Sequence, residues 1–421
     1  MEKVIGIVPG AGRASRIGGF FKELTPINVN ETDSSRFVVV SEQIIEAIRQ
    51  AGASPIYFVL NSEKGFISDY FNKSDLFSSD NLFFSFQSSL DQYYGMPFAI
   101  DKVFEETKGK TVLLGMPDTI IEPHDAFQIL LRNFDSNKSD LELGIFKTQK
   151  GSYGGYVEFD SKTHLVKSHV DKTSKNFPFE SADNAWAIAC WNDRFTNFLH
   201  EYVESSRDSY KYTGFGEFRE LLFGDIIDAA INSPNLRVCA DYISNDSGYY
   251  LDVTEPSKYF DAVLHYHSTS KNSKSGKSEN SQRRRRENKQ IFISHSSFQK
   301  DKADDLHFML KQAGYAPVLD SYDIHGGQQI SKRIEALINE SRFFVILLSN
   351  ESLSSKWVQA EIALAYAAGI VDGERILPVQ IEDIEESEAN KVLFIPRNTY
   401  NWLDGRNGMR DVVQWLEKQF K

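Results

Sequence analysis

Residues Ser268–Lys289, STSKNSKSGKSENSQRRRRENK, contain no apolar side chain. A run of 22 such residues has nothing to bury, so the chain on either side of it must build its own core. Four Lys, four Arg and two Glu give the run a net charge of +6 in a protein whose formal net charge is -12. It reads as a basic flexible linker, spanning roughly 25 Å on average, between one domain at 1–267 and a second at 290–421. Arg283–Arg286 are read as part of a solvated tether, with a phosphate or nucleic-acid patch as the alternative.

At 421 residues, 41% hydrophobic and 13% aromatic, the chain has enough apolar surface for two cores. The acidic balance argues against a surface built as a whole for nucleic acid. The two cysteines, Cys190 and Cys239, lie inside apolar runs and are too few for a disulfide framework or a four-ligand zinc site, which fits a reducing compartment. The first apolar run, Val4–Val8, stops at Pro9 and Gly10, and nowhere do 18 apolar residues run together. Neither a signal peptide nor a spanning helix is expected, and the protein is read as cytoplasmic, with no membrane partner.

In the first domain, β-branched and aromatic runs at Val4–Val8, Ile56–Leu60, Leu82–Phe86 and Thr111–Met116 alternate with amphipathic stretches such as Ser41–Gln50. Later runs at Leu143–Lys147, Tyr153–Phe159 and Ala185–Trp191 lack long helices between them. The expectation is an α/β domain with a mixed sheet. After the linker the alternation restarts, with strands at Gln290–Ser294, Ala316–Leu319, Phe343–Leu348 and Arg375–Gln380. Helices fit Lys302–Ala313, Gln328–Asn339 and Val358–Ala368, predicting a second, smaller, parallel-sheet domain.

The first strand runs into Gly10-Ala11-Gly12-Arg13-Ala14-Ser15-Arg16-Ile17, followed by Phe21-Lys22-Glu23-Leu24-Thr25-Pro26. Small residues let backbone N–H groups approach a phosphate, and the cations nearby can neutralise it; a tight turn before a helix is the alternative. The segment resembles the opening of the sugar-phosphate nucleotidyltransferases, the nucleoside-diphosphate-sugar pyrophosphorylases, although Ala14 stands where that family has glycine and Phe21 where it has proline. The resemblance implies that Arg16 and Lys22 contact phosphates and that the backbone of Gly10, Ala11 and Gly12 holds the nucleotide. Gln87 and Gly95–Ile100 look like the family's base-reading and sugar-entry segments. Asp118, in LLGMPD, and Asp252, in YYLDVT, look like its two metal-binding aspartates. Two such carboxylates could hold Mg²⁺ between the α-phosphate and the leaving pyrophosphate; ordinary turn and surface aspartates are the alternative. Lys172 stands where the family has a sugar-phosphate lysine. The implied ligand is a nucleotide, nucleotide sugar or sugar phosphate.

The second domain opens with Gln290-Ile291-Phe292-Ile293-Ser294-His295-Ser296, and continues through Asp320-Ser321-Tyr322-Asp323-Ile324-His325-Gly326 and Ser355-Lys356-Trp357-Val358-Gln359-Ala360-Glu361. These stretches resemble the boxes of a TIR domain of the NAD-hydrolase type, which implies a flavodoxin-like fold. Trp357 and Glu361, four apart at a helix start, share one face and could present an aromatic wall and a carboxylate to one cleft. In the NAD-cleaving members the matching glutamate is catalytic, which implies that Glu361 is the catalytic residue, with Ser294, Ser355 and Trp357 around the NAD⁺. Nicotinamide leaves as a neutral molecule, so one carboxylate can suffice. A scaffold in which Glu361 is only a solvated glutamate is the alternative reading. His295 reads as a hydrogen-bonded strand-end residue, and Asp320 and Asp323 as residues ordering a loop. The expectation is an NAD⁺ hydrolase acting as an innate-immune, antiviral or stress effector, self-associating through its TIR domains and regulated by ligand binding to the first domain. The alternative is a working Mg²⁺-dependent nucleotidyltransferase whose TIR domain binds partners.

Overall fold

The structure is a computed structural model that describes all residues except 1–2, 13–15, 18–19, 30–36, 73–76, 78–80, 89–92, 94, 148–154, 172–183, 211–219, 245–247, 254–255, 274–287, 320–331, 369, 371–374, 394–401 and 421. It forms two compact units: Met1–Ala14 with Val40–Asp252, and Ser15–Val39 with Val253–Lys421. Among the described residues no helix is long and apolar enough to cross a membrane.

The first unit is built on a nine-stranded mixed sheet. Its strands are β1 (Val4–Gly10), β2 (Ile56–Asn61), β3 (Leu82–Gln87), β4 (Thr111–Gly115), β6 (Leu141–Lys147), β7 (Gly155–Phe159), β8 (Val166–Val170), β9 (Asn184–Trp191) and β10 (Val238–Tyr242). The main path runs β8-β7-β9-β4-β1-β2-β3, with β6 pairing both β9 and β10. Strands β4, β1, β2 and β3 are mutually parallel, while β9 pairs antiparallel with β4, β6 and β7. The parallel part comes from the segment where helices alternate with strands, and the antiparallel part from the segment where they do not, as the sequence pattern predicts. Ile5, Ile7 and Val8 are all buried, as expected of a central strand covered on both faces. A separate antiparallel ribbon pairs β5 (Thr119–Glu122) with β11 (Tyr249–Asp252).

The second unit holds the five-stranded sheet of β12 (Gln290–Ser294), β13 (Ala316–Leu319), β14 (Phe343–Leu348), β15 (Ile376–Gln380) and β16 (Leu403–Asp404), in the order β13-β12-β14-β15-β16. All its pairs are parallel, and 2-1-3-4-5 is the flavodoxin-like order. Helices Lys300–Gln312 and Arg410–Gln419 bury Leu306, Leu310, Val412 and Leu416 against strand residues Ile291, Ile293, Val345 and Leu377. Helix Lys356–Ala367 is unusual because it is buried from Ala360 through Ala367 without interruption. A helix apolar all round is covered on more than one side. Here the additional cover comes from strand Pro26–Val29, which pairs antiparallel with Phe37–Val39, and from helix Pro256–Ser273; the strand and the helix both pack against it. For that reason residues 15–39 and 253–267, which the sequence pattern groups with the first domain, cluster with the second unit. Helix Pro256–Ser273 also runs into the start of the apolar-free segment, whose residues 274–287 lie outside those described.

In the first unit one polar group is buried where the sequence pattern shows only a strand. Glu142 of β6 is 0% exposed and is flanked in register by Cys190 on β9 and Cys239 on β10, both free thiols. Burial pushes its carboxyl up to about 7, against the hydrogen bonds donated by Ser139 Oγ and by Asn137 Nδ2 (3.0 Å). The folded protein therefore favours the protonated carboxyl, and the stability it contributes is present below the ordinary value of 4.5 and lost as pH rises through 7. Replacing Glu142 with Gln should leave stability unchanged below pH ~4.5 and raise it by up to about 3 kcal/mol at pH ~8. Urea unfolding of both proteins across that range checks the crossover, and equal slopes of stability against pH would refute it.

Candidate functional site

In the second unit Glu361 is placed by two successive helix caps. Ser349, just after β14, caps the short helix Asn350–Ser354: its Oγ accepts the Ser352 N–H at 3.0 Å while Ser352 Oγ accepts the Ser349 N–H at 2.7 Å. Ser355 then interrupts that helix in an extended conformation and caps the next, its Oγ accepting the Val358 N–H at 3.4 Å. From this start Trp357 and Glu361 stand one turn apart on one face, Trp357 half-buried and Glu361 1% exposed. The Ser294 hydroxyl, at the carboxyl end of β12, donates to Glu361 Oε2 at 2.5 Å. A carboxylate taken out of water costs several kcal/mol unless donors meet it, and the Ser294 hydroxyl is such a donor. The pair sits at the carboxyl end of a central parallel strand, the edge at which doubly wound sheets bind ligands.

Two of the residues read from the sequence as lining this site therefore already have bonds in the chain: Ser294 holds Glu361, and Ser355 holds the helix start. Burial, then the nearby Lys300 ammonium, holds His295 below the usual imidazole range against a hydrogen bond with the Ile293 backbone, so it is neutral near pH 7. The loop of Asp320 and Asp323 lies outside the described residues.

In the first unit the β5–β11 ribbon brings the two distant aspartates together. Asp252 stands opposite Thr119 in register, and Asp118 immediately precedes Thr119. They are 7% and 8% exposed, Asp118 being the more buried. The Tyr250 phenol is held well above its ordinary value, first by burial and then by the charges of Asp252 and Asp118. Two carboxylates offering hard oxygen donors fit Mg²⁺, which takes one or two protein carboxylates and completes its shell with phosphate oxygens and water. Gly10 ends β1, Ala11 is half-buried and Gly12 exposed. Gly10 is tightly enclosed, since a Cβ there would meet the Phe58 ring at 2.7 Å. Gly95 has φ +136° and is bridged to Leu221, whose carbonyl oxygen would lie 2.0 Å from a Cβ, so only glycine fits where the Gly95–Ile100 segment begins. Gln87 donates its Nε2 to the Tyr93 carbonyl at 3.0 Å.

Lys22 belongs to the second unit, in the 3-10 turn Lys22–Leu24, and Arg16 to a two-residue strand that pairs with Phe20–Phe21. Lys172 lies outside the described residues. Among the described residues a further group, Asp101, His200 and Glu204, has ligand atoms within 4.8 Å of one another. Arg207 already supplies its cation, donating to Glu204 at 2.6 and 2.8 Å and lying 3.8 Å from Asp101.

A residue that sequence reasoning missed is Lys64. It follows β2, is 1% exposed, and donates from Nζ to the Gly10 carbonyl at 2.9 Å. A lysine between polar residues reads as solvated, and only the parallel pairing of β1 with β2, which sets Gly10 beside Leu60, carries it beneath the loop.

Residues 291–418 match the TIR domain family, and this part of the chain is a TIR domain. Over 268 residues the chain is 25% identical to a protein of Methanobrevibacter olleyae described as a probable 2' cyclic ADP-D-ribose synthase, TcpO, covering 58% of this chain and 74% of the other. That share exceeds what residues 291–418 occupy, so the likeness continues outside the TIR domain. Among solved structures, a UDP-glucose pyrophosphorylase complexed with UDP-glucose is 16% identical, with 64% of this chain and 100% of that chain covered at a TM-score of 0.47. HddC from Yersinia pseudotuberculosis is 16% identical, with 63% and 100% covered at a TM-score of 0.43.

The lysine beneath the glycine loop yields a direct test. Lys64→Met keeps most of the buried volume but withdraws the donor from the Gly10 carbonyl, and should destabilise the protein by about 1–3 kcal/mol in urea unfolding. Stability within about 0.5 kcal/mol of the parent would show that the bond contributes nothing.

Proposed function

We propose that the TIR domain cleaves the nicotinamide–ribose bond of NAD⁺ with Glu361 as the catalytic residue. The observation that carries this reading is a buried carboxylate, held by Ser294 at the carboxyl end of a central strand, one helical turn from Trp357. Support also comes from the relative described as a cyclic ADP-ribose synthase, whose product contains the ADP-ribose that cleavage of NAD⁺ would supply. In the reaction the C–N bond breaks with its electron pair passing to the nicotinamide nitrogen, which neutralises the pyridinium without a proton. Positive charge develops on the ribose, where the Glu361 carboxylate is poised to stabilise it. An oxygen nucleophile then forms the new bond to that carbon and gives up its proton. With water the product is ADP-ribose, and with a ribose hydroxyl of the same molecule it is cyclic ADP-ribose. In this reading the chain is a stress or immune effector whose TIR domains associate with one another, and nucleotide or sugar-phosphate binding in the rest of the chain regulates it.

Incubating the full chain with NAD⁺, alone and with nucleoside triphosphates, nucleotide sugars and sugar phosphates, tests the reading. Nicotinamide release should fall at least about 100-fold in Glu361→Ala, the scale expected when a preorganised charge at a reacting centre is removed. Chromatography of the second product separates ADP-ribose from its cyclic form. Full release by Glu361→Ala would refute the assignment.

The approach of Asp118 to Asp252 favours a second activity in the first unit, Mg²⁺-dependent transfer of a nucleotidyl group to a sugar phosphate. Bound there, Mg²⁺ would neutralise phosphate charge; the two aspartates would hold it, and the backbone of Gly10–Gly12 would bind the nucleotide. Pyrophosphate release from a nucleoside triphosphate and a sugar 1-phosphate should then be lost in Asp118→Ala. No release across the common pairs would refute this second reading alone.

A further inference from the structure

The nine-stranded sheet of the first unit ends at β3, which among the described residues pairs with β2 alone. The Ile56 N–H donates to the Asn81 carbonyl at 2.7 Å, and this bond fixes the direction of every backbone group along the pair. In a parallel ladder alternate residues turn both their N–H and their C=O to the neighbour. Asn81, Phe83, Ser85 and Gln87 therefore face β2, while Leu82, Phe84 and Phe86 turn their groups away from it. Among the described residues none of these outward groups finds a partner. The strand also lacks what usually guards such an edge. Its sequence, LFFSFQ, has neither charge nor proline, the devices by which native edges are blunted. Phe83 is 49% and Phe86 43% exposed, on opposite faces of the sheet, so apolar surface flanks the open backbone on both sides. On its inner side the strand is well packed: the Phe83 ring lies 5.8 Å from that of Tyr57, and the Phe84 ring 6.1 Å from Phe58 and 6.3 Å from Phe71.

The outward set is symmetric about Phe84. An antiparallel copy of the same strand can therefore be set with Leu82 opposite the partner's Phe86 and Phe84 opposite the partner's Phe84. Each of these is a hydrogen-bonded pair that exchanges both backbone bonds, so every outward group is used. Phe83 then stands opposite the partner's Ser85, whose small side chain leaves room for the ring, and Phe86 is covered by the partner's Leu82. A twofold axis normal to the sheet generates this pairing, because opposed residues lie on the same side of the pleat. A register one residue away fails on both counts: outward groups would meet inward ones, and the faces would be reversed.

We propose that the β3 edge is a self-association surface, which takes the β3 strand of a second copy of this chain in an antiparallel, twofold pair centred on Phe84. An uncharged strand meets an uncharged strand, so no like charges oppose one another along it. With two half-exposed phenylalanines on each side, the contact buries less than the ~1,200–2,000 Å² of a stable specific interface, and it is accordingly a reversible one. Its symmetry closes it at two chains. The surface belongs to the first unit and needs nothing from the TIR domain.

The test uses the full chain. Sedimentation velocity between about 1 and 100 µM, the range in which a contact of this size dissociates, should show a reversible pairing step. Phe86→Lys sets a charge in the contact twice over, once from each chain, and should weaken that step about tenfold or more. The urea midpoint checks that this variant folds; if it does not, disulfide trapping decides. Opposed residues at a site without hydrogen bonds have Cα atoms about 4.5 Å apart, close enough for a disulfide, whereas diagonal ones are about 7–8 Å apart. A mixture of Phe83→Cys and Ser85→Cys should therefore form a disulfide dimer in a glutathione redox buffer, and neither should do so alone. The two native cysteines are buried and give no background. Trapping reads the β3 contact itself, whether or not the TIR domains also associate. A parent that stays monomeric overturns the proposal, as does a pairing step that Phe86→Lys leaves unchanged, or a Phe83→Cys chain that crosslinks to itself instead of to Ser85→Cys. A monomeric parent that binds a synthetic NLFFSFQS peptide would likewise overturn it, and would assign the edge to a strand of another protein.

Discussion

The burial of helix Lys356–Ala367 on several sides is the constraint around which the second unit is arranged. Its sequence, KWVQAEIALAYA, offers mainly small and apolar residues after the first turn, and burial runs from Ala360 through Ala367 without a break. Leaving such a helix covered only by its sheet would expose the remaining apolar surface to water, at about 25 cal/mol for each Å². The chain meets this by packing two elements remote in sequence, strand Pro26–Val29 and helix Pro256–Ser273, onto the helix. The one charged side chain within the buried run, Glu361, is then tolerable only because it is met by a donor, and Ser294 at the end of β12 is such a donor. The same helix thus sets both the packing of the second unit and the place of the candidate carboxylate.

The candidate sites share a construction. Each candidate carboxylate stands in or beside a strand or a capped helix, so the backbone that places it is already hydrogen-bonded. Glu361 follows the Ser355 cap, Asp118 stands at the start of β5, and Asp252 ends β11. These candidate groups are held by regular strand and helix backbone. Where the backbone is unusual, at Gly95, the reason is the close approach of the Leu221 carbonyl. Glu142 contrasts with these carboxylates. It is buried in a sheet row between two thiols, and its raised titration range follows from desolvation rather than from a catalytic arrangement.

Several strands of the second domain were legible in the sequence, whereas the start of the helix expected at Gln328–Asn339 lies outside the described residues, which show it over Lys332–Glu340. The strands at Gln290–Ser294, Ala316–Leu319 and Phe343–Leu348 match the observed ones, because runs of β-branched and aromatic residues bounded by polar ones announce themselves without knowledge of their partners. Glu361 and Trp357 were legible for a similar reason, since their spacing of four is a property of a single helix. Lys64 was not, because a lysine between polar residues reads as solvated until the pairing of β1 with β2 carries it beneath Gly10.

The sequence alone determined the α/β class, the mixed and parallel sheets, the TIR domain and the identity of the carboxylates to examine, since each depends on periodicity or on residues close along the chain. Only the tertiary structure decided that residues 15–39 pack with the TIR domain, that Asp118 lies beside Asp252, and that Tyr259 stands between Pro26 and Ala363. Each of these joins segments more than 100 residues apart through a register or a single hydrogen bond. Such contacts leave no periodic trace in either segment, because a strand's pattern records that one of its faces is buried and not which distant strand or helix covers it.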